Sequence, residues 1–330
     1  MINTTDTQQG SNKRKNKIEI SNQNSIAINS SNKKHKQQHL QQPDDMSYTY
    51  THTLLNNPSI LKIATHNVRS LTSPITQQLL IQTINNYNID IMGVAETNLS
   101  SKNTRYIHKS LDPNFSYYFS SDTRSKGSGV GIIVRSTIAK HIFNHFDYKG
   151  RVIYIDLQMK NRRTLRIIQV YLHTSNYDIQ ERLITHKIIM EHIQQARNRN
   201  YEIMIMGDFN VNPDKPRHTE TKYKRQFEII QYLRNLFFFD VFDTVHNITE
   251  HNPYNTWFNN SKQLASRIDF LWLSENTIDH LVYCDSFFTE LYTSDHKLLM
   301  CFMDKSFLFG DNTRSKLRNA QIKKTIFHYD

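Results

Sequence analysis

Carboxylates and amides recur in this chain at the ends of short apolar runs. A carboxylate beside an imidazole can orient the ring, fix its tautomer and favour its protonated form. Asn67 follows Leu61-Lys62-Ile63-Ala64-Thr65-His66, and Glu96 ends Ile89-Asp90-Ile91-Met92-Gly93-Val94-Ala95. Asp208 and Asn210 follow Glu202-Ile203-Met204-Ile205-Met206-Gly207, where the glycine lets the backbone turn sharply and both polar side chains project toward one centre. Ser294-Asp295-His296 sets a carboxylate suited to a metal beside an imidazole. In Arg267-Ile268-Asp269-Phe270 the charges alternate along an apolar run, so Arg267 and Asp269 share a face, and Asp269 could hold the ring of His296. Each has a plainer reading taken singly: Asn67 as a turn former, Glu96 as an exposed carboxylate or helix cap, and Arg267 with Asp269 as a surface ion pair.

The runs that deliver these residues have the texture of an α/β domain, with β-branched segments separated by amphipathic stretches. Strands are predicted over 61–65, 89–95, 129–135, 152–159, 164–171, 202–206, 266–273 and 297–303. Ser73-Pro74 reads as an N-cap followed by proline at the first helical position, and Ile75, Leu79, Thr83 and Tyr87 then recur at helical spacing. A second helix is predicted over 179–197, with Ile179, Leu183, Ile184, Ile188, His192 and Ala196 on its apolar-leaning face. A third is predicted over 223–237, burying Phe227, Ile230, Leu233 and Phe237. In such folds the ligand crevice opens at strand ends, so side chains from distant segments could meet there.

Residues 1–55 are rich in Asn, Gln, Ser, Thr and Lys and poor in large apolar residues, which predicts a disordered tail. Its basic clusters, Lys13-Arg14-Lys15 with Lys17 and Lys33-Lys34 with Lys36, could serve as a nuclear address, touch phosphates or simply be solvated. Residues 56–304 form the predicted globular domain, and 305–330 a basic extension. The 41 Lys and Arg outnumber the 30 Asp and Glu, a formal charge of +11 that favours an anionic partner, nucleic acid first. Cys284 and Cys301 are the two cysteines and form no CxxC pair, which argues against a disulfide framework or a structural zinc site and for an intracellular setting. No apolar run reaches membrane-spanning length, no signal-peptide pattern opens the chain, and nothing points to an obligate protein partner.

Taken in order, these pieces resemble the exonuclease-endonuclease-phosphatase (DNase I-like) superfamily. The ordered set is His66-Asn67-Val68-Arg69-Ser70-Leu71, Ala95-Glu96-Thr97, Gly127-Ser128-Gly129-Val130-Gly131, Val170-Tyr171, Gly207-Asp208-Phe209-Asn210, Ser266-Arg267-Ile268-Asp269-Phe270 and Ser294-Asp295-His296. The resemblance covers residues 61–304. The Asn-Val-Arg-Ser-Leu start and Thr256-Trp257 look most like the endonuclease domain of non-long-terminal-repeat retrotransposons. No Tyr-x-Asp-Asp polymerase centre follows, so the chain reads as an isolated or truncated endonuclease module. His173 stands where the family often has proline, and the Gly127–Gly131 run lacks the Lys-Ser/Thr of a phosphate-cradling loop, so it reads as the start of a strand.

The resemblance implies a four-layered α/β sandwich, two mixed β-sheets flanked by helices, and a phosphodiesterase acting on nucleic acid, DNA in particular. It implies Mg²⁺ or Mn²⁺ held by Glu96 with Asp295 near it, a choice that hard oxygen ligands suit. It assigns Asp208 to activate the attacking water, with Asn67 and Asn210 positioning phosphate or the neighbouring carboxylates. His296, held by Asp269, and Tyr171 would stabilise the transition state. The same fold acting on another phosphoester, or a non-catalytic nucleic-acid-binding remnant, are the alternatives. The loops 100–127 and 211–222 would carry specificity.

Overall fold

The computed structural model describes residues 45–110, 112–122, 127–174, 179–213, 227–249 and 251–306. In chain order these form α1 (Asp45–Leu55), β1 (Ile60–Asn67), α2 (Pro74–Asn86), β2 (Ile91–Ala95), α3 (Ser101–Ser110), β3 (Phe115–Ser120) and β4 (Val130–Arg135). There follow α4 (Ser136–Ala139), β5 (Ile142–Tyr148), β6 (Val152–Gln158), β7 (Thr164–Tyr171), α5 (Ile179–Asn198), β8 (Glu202–Asp208), α6 (Glu228–Asn235), β9 (Phe239–Asp240) and α7 (Val241–His246). The last are β10 (Trp257–Phe258), β11 (Ala265–Ser266), β12 (Asp269–Leu273), α8 (Glu275–Ile278), β13 (Leu281–Phe287) and β14 (Leu298–Asp304).

Two six-stranded mixed sheets carry the fold. The first runs β13-β14-β1-β2-β4-β3 and the second β5-β6-β7-β8-β12-β9, with β10 and β11 paired separately. Within them β1 pairs parallel with β2 and β7 parallel with β8, and every other neighbour is antiparallel. Side-chain alternation makes the layers. On β14, Leu299, Cys301 and Met303 face the second sheet, whereas Leu298, Met300 and Phe302 face the outer layer with Leu80 and Ile84 of α2. On β6, Ile153, Ile155 and Leu157 join the core between sheets, and Val152 and Tyr154 face outward to Ile189 and Ile193 of α5. The order is helices, sheet, sheet, helices. A strand buried on both faces reads as a largely apolar run, which is why these segments were legible.

Some expectations are corrected. Residues 45–55 form α1, and Thr51 Oγ1 donates to Asp285 at 2.8 Å, so the expected tail gives way to structure before residue 55. The basic clusters of residues 13–36 and the rest of the tail, and residues 307–330, lie outside the described residues. Helix α2 starts at Pro74 after Ser73 as expected, although Ser73 makes no side-chain cap bond, and it buries Leu80, Ile81, Thr83 and Ile84 while Ile75 is 69% exposed. Helix α5 buries Arg182, Thr185, His186, Ile189, Ile193 and Ala196, a face rotated from the expected one, and Ile184 is 44% exposed. Apolar residues lie on several sides of both helices, so packing chose the stripe. Phe237 lies past the end of α6 at φ +59° and is 66% exposed, because the chain turns there into β9. The run 266–273 is broken at Arg267 and Ile268 between β11 and β12. Strands β3, β5, β9, β10 and β13 were not expected; β5 alternates half-buried with exposed residues at an edge and carries Asn, His and Asp. Among the described residues no helix is long and apolar enough to cross a membrane.

Candidate active site

The parallel pairs place their C-terminal ends at one rim. Asn67 ends β1, Glu96 follows β2, Tyr171 ends β7 and Asp208 ends β8. Antiparallel neighbours bring their beginnings to the same rim: Asp269, the first residue of β12, is the register partner of Asp208, and His296 stands two residues before β14. All eight expected residues are joined there through hydrogen bonds or short contacts to one another or to the backbone between them.

Asn67 crosses between the sheets. Its Nδ2 donates to Glu96 Oε2 at 3.1 Å and to Asp208 Oδ2 at 3.0 Å, while its Oδ1 accepts from Arg69 N. Both amide protons are thus committed to carboxylates. Tyr171 makes a second crossing, its hydroxyl donating to Glu96 Oε2 at 3.2 Å. Burial, then the nearby Glu96 and Asp208, push the Tyr171 phenol above its ordinary range, so it is a donor at neutral pH. Glu96 has φ +56° and Asn210 φ +51°, turns that aim each side chain back over its strand end. Asn210 N donates to Asp208 Oδ1 at 2.8 Å, and its Nδ2 to Leu172 O at 2.8 Å, which ties the ends of β7 and β8.

Asp208 is 2% exposed. Burial, then the charge of neighbouring Asp269, pushes its carboxyl up to about 7, and His296, Asn67 and Asn210 oppose the rise. His296 Nδ1 lies 2.8 Å and 3.0 Å from the two oxygens of Asp269, which fixes the Nδ1–H as a donor to that carboxylate. Burial works against a charged ring here, but the Asp269 carboxylate and its hydrogen bond outweigh it and lift His296 to about 9. The ring is an imidazolium at neutral pH. No described acceptor hydrogen-bonds its Nε2, which sits 3.9 Å from Asp295 Oδ1.

Several supporting groups had no role from sequence. Thr256 Oγ1 donates to Asp269 Oδ2 at 2.7 Å and accepts from Ile268 N and Asp269 N. Trp257 Nε1 donates to Asp295 Oδ2 at 3.0 Å, and Ser294 Oγ to Asn67 O at 2.7 Å. His66 Nε2 lies 3.1 Å from His296 O and its Nδ1 2.7 Å from Tyr292 Oη. Burial holds His66 down at about 4, so it is neutral and fits as donor to that carbonyl and acceptor from Tyr292. Thr256-Trp257 was visible as a motif, but only the fold shows what each touches. The expected sharing of a face by Arg267 and Asp269 leads to separate partners. Arg267 and Asp269 are both buried, so they form no surface ion pair; Arg267 Nη1 pairs with Asp240 and its guanidinium lies 4.8 Å from the Phe270 ring centre. The Gly127–Gly131 run packs on the turn after Glu96: Gly127 N donates to Asn98 Oδ1 and Thr97 N to Gly129 O. His173, at the departure from the family pattern, is buried with Nε2 3.3 Å from Thr185 Oγ1.

Two sets of groups could hold a cation. Ligand atoms of Asp208, Asp269 and His296 lie within 4.8 Å of one another. Alternatively Glu96 Oε1 accepts no hydrogen bond from a described group, and Asp295 Oδ1 is buried without one, with Arg69 Nε 3.4 Å away.

Residues 64–296 match the model of the Endonuclease/Exonuclease/phosphatase family. The chain belongs to that family. Similar solved structures include a 3′ phosphatase from Neisseria bound to product DNA hairpin, at 20% identity over 74% of this chain and 99% of that one, TM-score 0.58. The catalytic domain of Xenopus laevis APE2 is 18% identical over 74% of this chain and 92% of that one, TM-score 0.59. The AP endonuclease LMAP from Leishmania major is 15% identical over 74% and 88%, TM-score 0.61. No curated protein sequence matches the chain. At these identities the structures speak for the fold, and the two-sheet sandwich of this endonuclease/exonuclease/phosphatase family member is that fold.

Proposed function

We propose that this chain is a divalent-cation-dependent phosphodiesterase that cuts nucleic-acid backbones, DNA in particular, as an endonuclease module like those of non-long-terminal-repeat retrotransposons. One observation carries the reading: a carboxyl poised near neutrality, Asp208, and an imidazolium with an open Nε2, His296, share one rim with Glu96 and Asn67. Phosphodiester hydrolysis needs a base for water, a donor to the developing oxyanion and neutralisation of phosphate charge.

Asp208 takes the water proton, since a base works best when its affinity for protons lies near the working pH. Asn67 and Asn210 N hold its two oxygens, so the attacking water meets a fixed carboxylate. His296 Nε2–H donates to a non-bridging oxygen, and Asp269 and Thr256 keep the ring from turning. Tyr171, whose hydroxyl now donates to Glu96, supplies a second donor. For Mg²⁺ or Mn²⁺ the oxygens of Glu96 and Asp295 fit better than the Asp208, Asp269 and His296 group, because an imidazolium already donating to Asp269 has no lone pair to offer. A bound cation supplies charge neutralisation at the phosphate. The formal charge of +11 favours a polyanion.

The test is nicking of plasmid DNA by purified protein with Mg²⁺ and with chelator. Glu96→Ala and Asp208→Ala lose nicking and keep DNA binding; undiminished nicking by either removes the assignment. The similarity to a Neisseria protein described as a 3′ phosphatase and as a 3′-5′ exonuclease motivates a second reading, action at 3′ ends. A 5′-labelled duplex separates them: internal fragments mark an endonuclease, and a ladder shortening from the 3′ end marks trimming.

A further inference from the structure

Four strands, β1, β2, β7 and β8, deliver Asn67, Glu96, Tyr171 and Asp208, and one wholly buried amide touches or closely faces all four. Gln169 lies on β7, two residues before Tyr171, and is 0% exposed. Thr65 of β1, two residues before Asn67, donates its hydroxyl to Gln169 Oε1 at 3.0 Å. On β2, three residues before Glu96, a Cβ added to Gly93 would lie 2.0 Å from that same oxygen. On β8, one residue before Asp208, a Cβ on Gly207 would lie 2.9 Å from Gln169 Nε2 and 2.0 Å from Val170 O, at φ +131°. Two glycines therefore leave the space the amide fills.

β1 and β2 belong to the first sheet, β7 and β8 to the second. The Thr65–Gln169 hydrogen bond thus crosses between sheets directly behind Asn67–Asp208, which crosses them too. Apolar contacts between two sheets resist separation but are non-directional, so they set the relative slide of the layers weakly. A hydrogen bond fixes distance and direction. The surroundings are apolar, with Ile63, Ala95, Ile167 and Met206 in the same core, and Gln169 Nε2 has as its described acceptor only Val170 O at 3.4 Å. For stability alone, an apolar pair of similar volume would serve this place as well.

We infer that Gln169 is a positioning residue: with Thr65 it sets the register between the sheets that brings Asn67 and Glu96 against Asp208. It touches no reacting atom. The inference rests on the phosphodiesterase reading above, and its consequence is separable from folding.

The experiment uses the full chain and the double variant Thr65→Val/Gln169→Met, which removes both polar partners and keeps the volume. Its thermal midpoint stays near that of the parent, whereas kcat for nicking falls about ten- to a hundredfold with KM unchanged, as expected for a small misplacement of reacting groups. Thr65→Ser, which keeps the hydroxyl, retains kcat within about threefold. A double variant that is stable and as active as the parent overturns the inference, as does a loss that tracks only the folded fraction. If the double variant does not fold, Thr65→Val alone decides by the same kcat measurement. If the parent itself shows no hydrolysis, the proposed function fails, and Mn²⁺ affinity read by electron paramagnetic resonance decides this inference separately. Weakening by about threefold or more in the double variant supports it, and unchanged affinity sinks it.

Discussion

Two of the molecule's buried pairs of an aspartate with a cationic side chain, Asp156–Arg166 and Asp269–His296, are finished differently. Asp156 on β6 and Arg166 on β7 are both fully buried, with Nε to Oδ1 and Nη2 to Oδ2 each at 2.7 Å. The remaining valences are filled: Arg166 Nη1 donates to His192 O, Asn144 donates to Asp156 Oδ2, and the guanidinium lies 3.9 Å from the Tyr154 ring centre. Asp269 and His296 are nearly as buried, and Asp269 is held by Thr256 as well, but Nε2 of the ring is left without a described acceptor. A saturated fork can only hold the structure. An oriented imidazolium with one open donor can also act on something that arrives.

This contrast is sharpest where each pair is broken. Arg166→Met leaves Asp156 as an uncompensated buried carboxylate and lowers unfolding free energy by about 3–5 kcal/mol, read by urea denaturation, while the molecules that remain folded keep their rate. His296→Ala loses rate on the order of a hundred- to a thousandfold, about 2.7–4 kcal/mol at the transition state, and remains folded. Should Arg166→Met abolish turnover of folded protein, or His296→Ala leave it intact, the division between the two pairs fails.

Alkaline titration separates them next. His296 is raised from 6.5 to about 9 on folding, so its contribution is fully present below about pH 6.5 and is lost as pH rises through about 9. A guanidinium, as a chemical class, does not deprotonate in that range. Comparing the parent with His296→Gln in chelator from about pH 6 to about pH 10, the stability difference shrinks by on the order of 3 kcal/mol. A flat difference would show that Asp269 does not charge the ring. The smallest effect is expected of Thr256→Val, which frees one oxygen of Asp269: kcat falls roughly tenfold, about 1.4 kcal/mol, at nearly unchanged KM. An equal loss in Asn144→Val, which removes a donor from Asp156, would erase the distinction.

The strands were legible where burial on both faces makes the run predominantly apolar, as in β2, β8 and β14. They were not where one face meets solvent or the run is aromatic and polar, as in β3 and β5. Helix existence was readable for α2 and α5, but not which face turns inward, since apolar residues such as Ile75 and Ile184 occupy positions the packing left outside. The polar residues of the site stood out because each ends or begins a strand. Thr256, Trp257 and Gln169 could not be ranked the same way, because a threonine, an indole or an amide acquires its role from what it touches.

By itself the sequence determined the set of chemical groups at this rim and the strands that carry them, because side-chain alternation and turn residues are local properties. Tertiary structure alone decided that Asn67 serves two carboxylates, that Asp269 belongs to His296 and Arg267 to Asp240, and that Gln169 meets Thr65 behind the Asn67–Asp208 bond. Two of those partnerships, Asn67–Asp208 and Thr65–Gln169, join residues more than a hundred positions apart and in different sheets. No periodicity encodes such a distance; it follows from how two twisted sheets settle against each other.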